Sequence, residues 1–484
     1  MNTVYDVIII GSGAGGAAAT YQLARSGRNI LVLEKGDRLP RDGSTLDVGI
    51  VIREGRFANH DAWLDRHGRS FTPDEHYNLG GKTKWYGAAL LRFAPNEFTS
   101  DAQHQCRGWP FGYDELAPYY DQAETLLRVR RFEPEPDTAR IVARIKQASP
   151  GWRSAPMPLG LSSHILDDIR EVTRFDGFAS ALGFKSDAEC CLIDRIRERP
   201  NVTIKPGAAV QTLVGDNIAP TRITGVVMQD GTFHHARSVL LGAGALSSPR
   251  LVEHYLGTTG LAKKLPAAAM VGRNYKSHIL TAVVAWSRMP TNDLLRKTVY
   301  LTHDRFMHST VQPLGAALTQ GEIIATELPR FVPRWFADYV GGRACGFFLQ
   351  TEDGSHPDNR VIAAANGDGR PRLDYDRNRI APGRDEHRRF VRAFARDLLR
   401  AGMIPIIKPV PLGGTAHACG TLIAGDDPAN SVVNADGCVH GMENLYVVDG
   451  SALPRSSRVN PALTIYAWAL RVADKLDQSL GATR

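Results

Sequence analysis

The stretch from Tyr5 to Glu34, YDVIIIGSGAGGAAATYQLARSGRNILVLE, constrains this chain more than any other. It reads as a strand, a glycine turn, a helix and a second strand. Val7 to Ile10 is a short, wholly apolar run of the kind buried on both faces of a parallel sheet. Gly11, Gly13 and Gly16 then supply G-x-G-x-x-G, with Ala14 and Gly15 inside the turn. In such a turn the first glycine permits the tight bend and the second lets backbone approach a pyrophosphate. The third lets the helix pack closely on the strand. The helix that follows aims its free N–H groups and positive end at the diphosphate. Ile30 to Leu33 is the returning strand, and Glu34 at its end can accept the two hydroxyls of an adenosine ribose. Lys35, the next residue, belongs to the same expected site. The order of these parts predicts a dinucleotide fold without distinguishing FAD from NAD.

A chain of 484 residues exceeds what one hydrophobic core covers, so two domains are expected. No apolar run reaches the about 18 residues of a transmembrane helix, and nothing before Tyr5 resembles a signal peptide. Six cysteines without a C-x-x-C pair do not describe a disulfide or zinc framework, and the adjacent Cys190 and Cys191 read as free thiols. A soluble, cytoplasmic protein without a metal is the expectation. The formal charge is +7, and Arg388, Arg392, Arg396 and Arg400 give one basic face to a helix from about Asp385 to Ala401. One solvated stripe does not make a nucleic-acid surface, and no reading module accompanies it.

Beyond the nucleotide unit, LGGKTKWYGAALLRF (79–93) holds the adjacent Gly80 and Gly81, Thr83 and Gly87, which suggest backbone brought close to a flat or charged ligand but read equally as an ordinary loop between strands. Tyr86 is counted in the same expected site. A helix begins near Tyr113, and residues 132–160, rich in proline and charge, read as a surface excursion. Asp187 to Arg197 reads as a helix, followed by short strands at Asn201 to Ile204, Val210 to Val214 and Ile223 to Met228. Ser238 to Leu241 runs into GAGALSSPRL, whose Gly242 and Gly244 make a second glycine turn. From Ile279 to about Ala365, runs such as ILTAVVAW, GFFLQTE and NRVIAAA predict an antiparallel sheet, hence an α+β insert.

The last 70 or so residues carry the densest chemistry: His417 in AHACGT, the strand NLYVVDGS, and Asn460 in VNPALTI. Asn460 suits a helix N-cap and Pro461 the first helical position, so the helix after them presents a positive end that suits an anionic reduced flavin. Alcohol oxidation by a flavin needs a base for the hydroxyl proton while hydride passes to flavin N5, and an imidazole titrates near neutrality. His417 and Asn460 can fill these roles if the fold unites them. Separately, each reads equally as a loop histidine and a helix cap.

Across nearly its whole length the sequence resembles the glucose–methanol–choline (GMC) oxidoreductases, FAD-dependent flavoproteins that oxidise alcohols and sugars. The matching segments are GSGAGG with Glu34, LGGKTKWYG, WPFGYDELAPYY, FDGFASALGFKSDAE, LLGAGALSSPRL, VGRNYKSH, and HACGT through NPALTI. The resemblance implies an α/β FAD-binding Rossmann-like domain with an inserted α+β substrate domain, the p-hydroxybenzoate-hydroxylase-like architecture. The implied division is 1–95, 185–275 and 405–484 for FAD, with 96–184 and 276–404 for substrate. It makes His417 the catalytic base and Asn460 its partner. Val210, Ala243 and Gly244 would sit by the nucleotide, and Asp449, Gly450 and Pro461 would border the flavin.

Three departures accompany the match. Ile423 and Ala424 stand where many relatives carry Arg and Met, the chain is shorter than many relatives, and Trp85 stands where some sugar oxidases tether FAD through histidine. Non-covalent FAD and an open site follow as expectations. The expected substrate is a hydroxyl of a sugar, glycoside or aminoglycoside-like polyol, with Gln350 and Glu352 as candidate substrate contacts. The expected acceptor is oxygen or another electron acceptor. An apolar alcohol such as a sterol is the alternative substrate. A flavin-bearing electron-transfer or binding subunit is the non-enzymatic alternative, and an NAD-dependent Rossmann enzyme the cofactor alternative.

Overall fold

The computed structural model describes residues 4–319, 321, 323–324, 332–363, 369–414 and 417–482. Its first sheet is the nucleotide sheet. Strands Val202–Lys205, Ile30–Leu33, Val4–Ile10 and Phe233–Leu241 lie in that order and run parallel, with Leu445–Val447 parallel to the end of the last. The antiparallel strands Ile223–Met228 and Val210–Gly215 extend the same edge. Val7, Ile8 and Ile9 are fully buried, as a strand covered on both faces must be.

Helix Ala14–Ala24 follows the first glycine turn, and the long C-terminal helix Ala462–Ala482 packs beside it. An ion pair at 2.6 Å between Arg28 and Asp477 ties the two regions. Trp468 donates its indole N–H to the carbonyl of Val447, which fixes the C-terminal helix on the last strand of the sheet.

A second sheet of six strands is antiparallel throughout, in the order Ile404–Pro409, Ile279–Trp286, Ala344–Thr351, Phe306–Pro313, Val299–His303 and Trp152–Pro156. The alternation along Ala344–Thr351 separates its two faces. Phe347 and Leu349 pack against Phe390, Phe394 and Leu398 of helix Ala381–Arg400, while Phe348 and Gln350 line a cavity on the other side. The basic stripe of that helix is exposed, as its spacing predicts. A small four-stranded sheet, Arg360–Ile362, Arg372–Asp374, Trp63–Asp65 and Ser70–Phe71, lies apart from both.

The structure corrects several sequence expectations. The strand from Ile404 pairs with Ile279–Trp286, so the nucleotide-binding segment expected from residue 405 begins with an edge strand of the other sheet. Residues 132–160 are no mere excursion: Pro136–Ala148 is a helix that buries Ile141, Val142 and Ile145, and Trp152–Pro156 is an edge strand. Asp187 caps only one turn, Ala188–Cys191, before a separate short turn at Ile193–Arg195. Of the run expected to end near Ala365, Ala364 and Ala365 lie outside the described residues. All six cysteines are free thiols. Among the described residues no helix is long and apolar enough to cross a membrane.

Candidate active site

A single cavity of about 1410 Å³ runs between the glycine turns and the second sheet. Pockets for one drug-sized ligand span roughly 300–1,000 Å³, so this volume leaves room for a dinucleotide and a substrate together. Its walls include Gly11, Gly13, Ala14, Gly15, Glu34 and Lys35 from the first turn, and Ala243 and Gly244 from the second. Gly81, Thr83, Tyr86, Gly87, Val210, Asp449, Gly450 and Pro461 line it as well.

The glycines divide the work sterically. Gly11 has φ +94°, which disfavours any side chain, and a Cβ there would strike the carbonyl of Gly242, so the two glycine turns abut. A Cβ on Gly16 would strike the carbonyl of Gly11, and one on Gly15 that of Val448. Gly16 therefore does not line the cavity; it lets the helix approach the strand. Of the four glycines in the first turn, Gly13 is the one with nothing within 4 Å of its Cβ position, and it opens onto the cavity. That open backbone at a helix start is the cradle a pyrophosphate requires, and the residues present fit FAD.

Two carboxylates in the wall are already occupied. Glu34 accepts from the backbone N–H and hydroxyl of Ser12, at 2.9 and 2.7 Å, and from the N–H of Gly36 at 3.0 Å. An ionised carboxylate has about four lone-pair sites, so one remains for a ribose hydroxyl. Burial raises its pKa, opposed by the Ser12 and Gly36 donors and by the backbone N–H of Lys35. Asp449 accepts from the N–H of Gly244, from the Ser248 hydroxyl, and from the N–H and hydroxyl of Ser451. Its side chain is saturated and braces the second glycine turn against the C-terminal strand.

His417 and Asn460 also line the cavity, and Asn460 Nδ2 lies 3.2 Å from His417 Nε2. Burial, with His278, Lys82 and Lys297 as neighbours, holds the His417 pKa well below its ordinary value, so the ring is neutral and able to accept a proton. The residue sits at φ +67°, a left-handed backbone that costs a histidine on the order of 1 kcal/mol or more. Asn460 does not spend its side chain as a helix cap. Its oxygen accepts from Gln312 Nε2 at 2.5 Å, and the first bond of the C-terminal helix runs from the N–H of Ile465 to the carbonyl of Pro461.

Gln350 faces the cavity and donates to the carbonyl of Arg458 at 2.8 Å. Glu352 does not face the cavity. It is fully buried and receives two bonds from Arg455, at 2.8 and 2.7 Å, and one from His308 at 2.9 Å. Those partners hold its carboxyl far below the usual range. Its Oε1 also accepts from the N–H of Ser457, so it anchors a loop behind the site. Ile423 and Ala424 are buried and stand outside the cavity wall.

Sequence reading missed several wall residues. Gln312 comes from a strand with no distinguishing pattern. Lys297 and Asp176, paired at 3.1 Å, come from a loop and from the FDGFASALGF segment, which the resemblance had marked without giving Asp176 a role. Trp85 is almost wholly buried, stacked on His76 at 4.7 Å between ring centres, and bonded through its indole N–H to Asn78.

A parallel nucleotide sheet, an antiparallel second sheet and a shared cavity ending on a neutral imidazole define a dinucleotide-dependent oxidoreductase. Residues 368–469 match the family model described as GMC oxidoreductase, and residues 9–54 match a NAD(P)-binding Rossmann-like domain. Paromamine 6'-oxidase of Streptomyces fradiae is 30% identical, over 97% of this chain and 91% of that protein. 6'''-Hydroxyparomomycin C oxidase of Streptomyces lividus is 28% identical, over 99% and 93%. Among solved structures, pyridoxine 4-oxidase from Mesorbium loti superposes with a TM-score of 0.68 at 18% identity, covering 98% of this chain and 99% of that one. The chain belongs to the GMC oxidoreductase family. It is an FAD-dependent oxidoreductase acting on CH–OH donors.

Proposed function

We propose that the protein oxidises a hydroxyl of a sugar, glycoside or aminoglycoside-like polyol to the carbonyl, with His417 as the base that takes the hydroxyl proton. The observation that carries this reading is the meeting of His417 Nε2 and Asn460 Nδ2 in the wall of the cavity that the glycine turns open into. Bound in that cavity, FAD supplies the hydride acceptor. His417 Nε2 takes the proton, Asn460 Nδ2 donates to the substrate oxygen, and Gln312 holds Asn460 in that orientation. Gln350, Gln312 and the Asp176–Lys297 pair give the wall polar groups suited to a substrate with several hydroxyls or amines, whereas a sterol site is lined almost entirely by apolar groups. The relatives named for paromamine and hydroxyparomomycin C support the aminoglycoside end of that range.

We hold FAD to be non-covalent, because Trp85 fills the position from which a histidine would tether it. The acceptor is oxygen or another electron acceptor. Anaerobic mixing of the oxidised protein with free sugars, glycosides, aminoglycosides, aliphatic alcohols and sterols tests the substrate class. Bleaching of the flavin absorbance by the polyhydroxylated or amino-sugar compounds is expected. Bleaching by sterols or simple alcohols alone would overturn the assignment.

A further inference from the structure

His278 closes the segment VGRNYKSH and lies outside the cavity wall, yet its ring meets that of His417 edge to face, 4.7 Å between centres. Its Nδ1 is 2.8 Å from His417 Nδ1, and its Nε2 is 2.8 Å from the carbonyl oxygen of Ser457. A carbonyl accepts and never donates, so the contact with Ser457 puts a proton on His278 Nε2. In a neutral ring that leaves His278 Nδ1 as an acceptor. The proton between the two Nδ1 atoms then belongs to His417, and His417 Nε2 is bare where it faces Asn460 and the cavity.

We infer that His278 is a positioning residue that locks His417 in its Nδ1–H tautomer and so presents the bare Nε2 to the substrate hydroxyl. The inference rests on the reading of His417 as the base. The lock itself is anchored from behind. Ser457 has φ +64°, its N–H donates to Glu352, and its hydroxyl donates to Glu97 at 2.7 Å. Glu352 is in turn gripped by Arg455. The carbonyl of Ser457 therefore cannot swing away without breaking a buried network. His278 is 3% exposed, and burial takes its pKa down to about 4, which keeps the ring neutral around pH 7. After proton transfer, the His417 imidazolium keeps its Nδ1–H bonded to a neutral acceptor, so the ring does not rotate during the reaction.

The reverse arrangement fails on the same geometry. A proton on His278 Nδ1 would set its Nε2 lone pair against the Ser457 carbonyl at 2.8 Å. It would also move the His417 proton to Nε2, where it faces the amide N–H of Asn460.

The test compares His278→Asn with His278→Gln in the flavin-loaded protein. Asparagine places Oδ1 near where Nδ1 stood and keeps an acceptor for His417. Glutamine reaches the Ser457 carbonyl but offers nothing at the Nδ1 position. Nitrogen-15 spectra of the histidine-labelled protein, with the His417 signal assigned by its loss in His417→Ala, report which ring nitrogen bears the proton. Wild type and His278→Asn are expected to show Nδ1–H and a bare Nε2, and His278→Gln a mixture or the opposite tautomer. The rate of flavin reduction at saturating substrate is expected to fall about 10²-fold in His278→Gln and to recover most of that in His278→Asn, with KM little changed.

A wild-type His417 that carries its proton on Nε2 would overturn the inference, whatever the variants do. So would His278→Gln reacting at the wild-type rate, or both variants losing rate while His417 keeps Nδ1–H. If His417→Ala reduces flavin normally, the reading of His417 as base fails, while the spectra still decide the tautomer.

Discussion

Gln312 Nε2 donates to Asn460 Oδ1 at 2.5 Å, and this bond turns the asparagine amide toward His417. A residue of the second sheet thus orients one just before the C-terminal helix, and the two meet at the His417–Asn460 contact. Replacing Gln312 with methionine keeps its volume and removes the donor. Flavin reduction by substrate is expected to slow about tenfold, the worth of one hydrogen bond. Stopped-flow absorbance measures it, and an unchanged rate would mean that Asn460 needs no such support.

Asn460→Ala separates two roles of the asparagine. A true N-cap loses about 1 kcal/mol on this change. The Asn460 side chain is engaged by Gln312 and His417 instead, so the melting temperature is expected to hold while flavin reduction falls. Calorimetry beside single-turnover kinetics checks both. A lowered melting temperature with full turnover per folded molecule would restore the cap reading.

The glycine turn gives a steric contrast. A Cβ at Gly16 meets the backbone of Gly11, whereas one at Gly13 meets nothing within 4 Å. Gly16→Ala is expected to destabilise the flavin-free protein. Gly13→Ala is expected to leave its melting temperature intact while weakening FAD binding at least about tenfold, because a methyl occupies the pyrophosphate cradle. Fluorescence titration of the flavin-free protein measures the second effect. Equal flavin affinity in Gly13→Ala would contradict the cradle.

Such steric rules are why this part of the fold is legible in the sequence. Glycine spacing, an apolar strand and an acid at fixed distance state a local geometry that no distant residue has to supply. The polar wall of the second sheet is different. Gln350 and Glu352 look alike in the sequence, yet strand pleat turns one into the cavity, and a buried arginine captures the other. The asparagine before Pro461 has the local chemistry of a cap, and only the tertiary partner Gln312 takes it elsewhere. The helix Pro136–Ala148 was obscured by flanking prolines and charges, although Pro136 at its first turn and the apolar Ile141, Val142 and Ile145 face one side. His278 stood at the end of a recognisable segment, but nothing in its neighbours names Ser457 or His417 as its contacts.

Stability should depend on pH through buried neutral imidazoles. His387 bonds to Thr281 and Thr351 through its two nitrogens, and burial brings its pKa down to about 3, as it brings that of His278 to about 4. Unfolded, each binds a proton near 6.5. Between about 6.5 and 4 the unfolded chain therefore binds more protons, so these groups make stability rise with pH and fall as the solution is acidified. Asp353, pushed up to about 7 by burial, contributes the opposite sign. The comparison that isolates the effect is wild type against His387→Gln. The variant's melting temperature should change less steeply between pH 6.5 and 4, and an equal slope would contradict the assignment.

The proposed non-covalent attachment of FAD is tested by acid precipitation. All flavin absorbance is expected in the supernatant, since Trp85 offers no ring nitrogen that forms the bond. Flavin kept in the pellet would contradict this and direct attention to His76, which is stacked on Trp85 in the cavity wall.

The central claim is that His417 takes the hydroxyl proton, and single-turnover flavin reduction in His417→Ala tests it most directly. The variant should bind FAD and keep the flavin spectrum, while the first-order rate of reduction by saturating substrate falls about 10²–10⁴-fold. A reduction rate near that of wild type would contradict the account and leave His417 a structural residue.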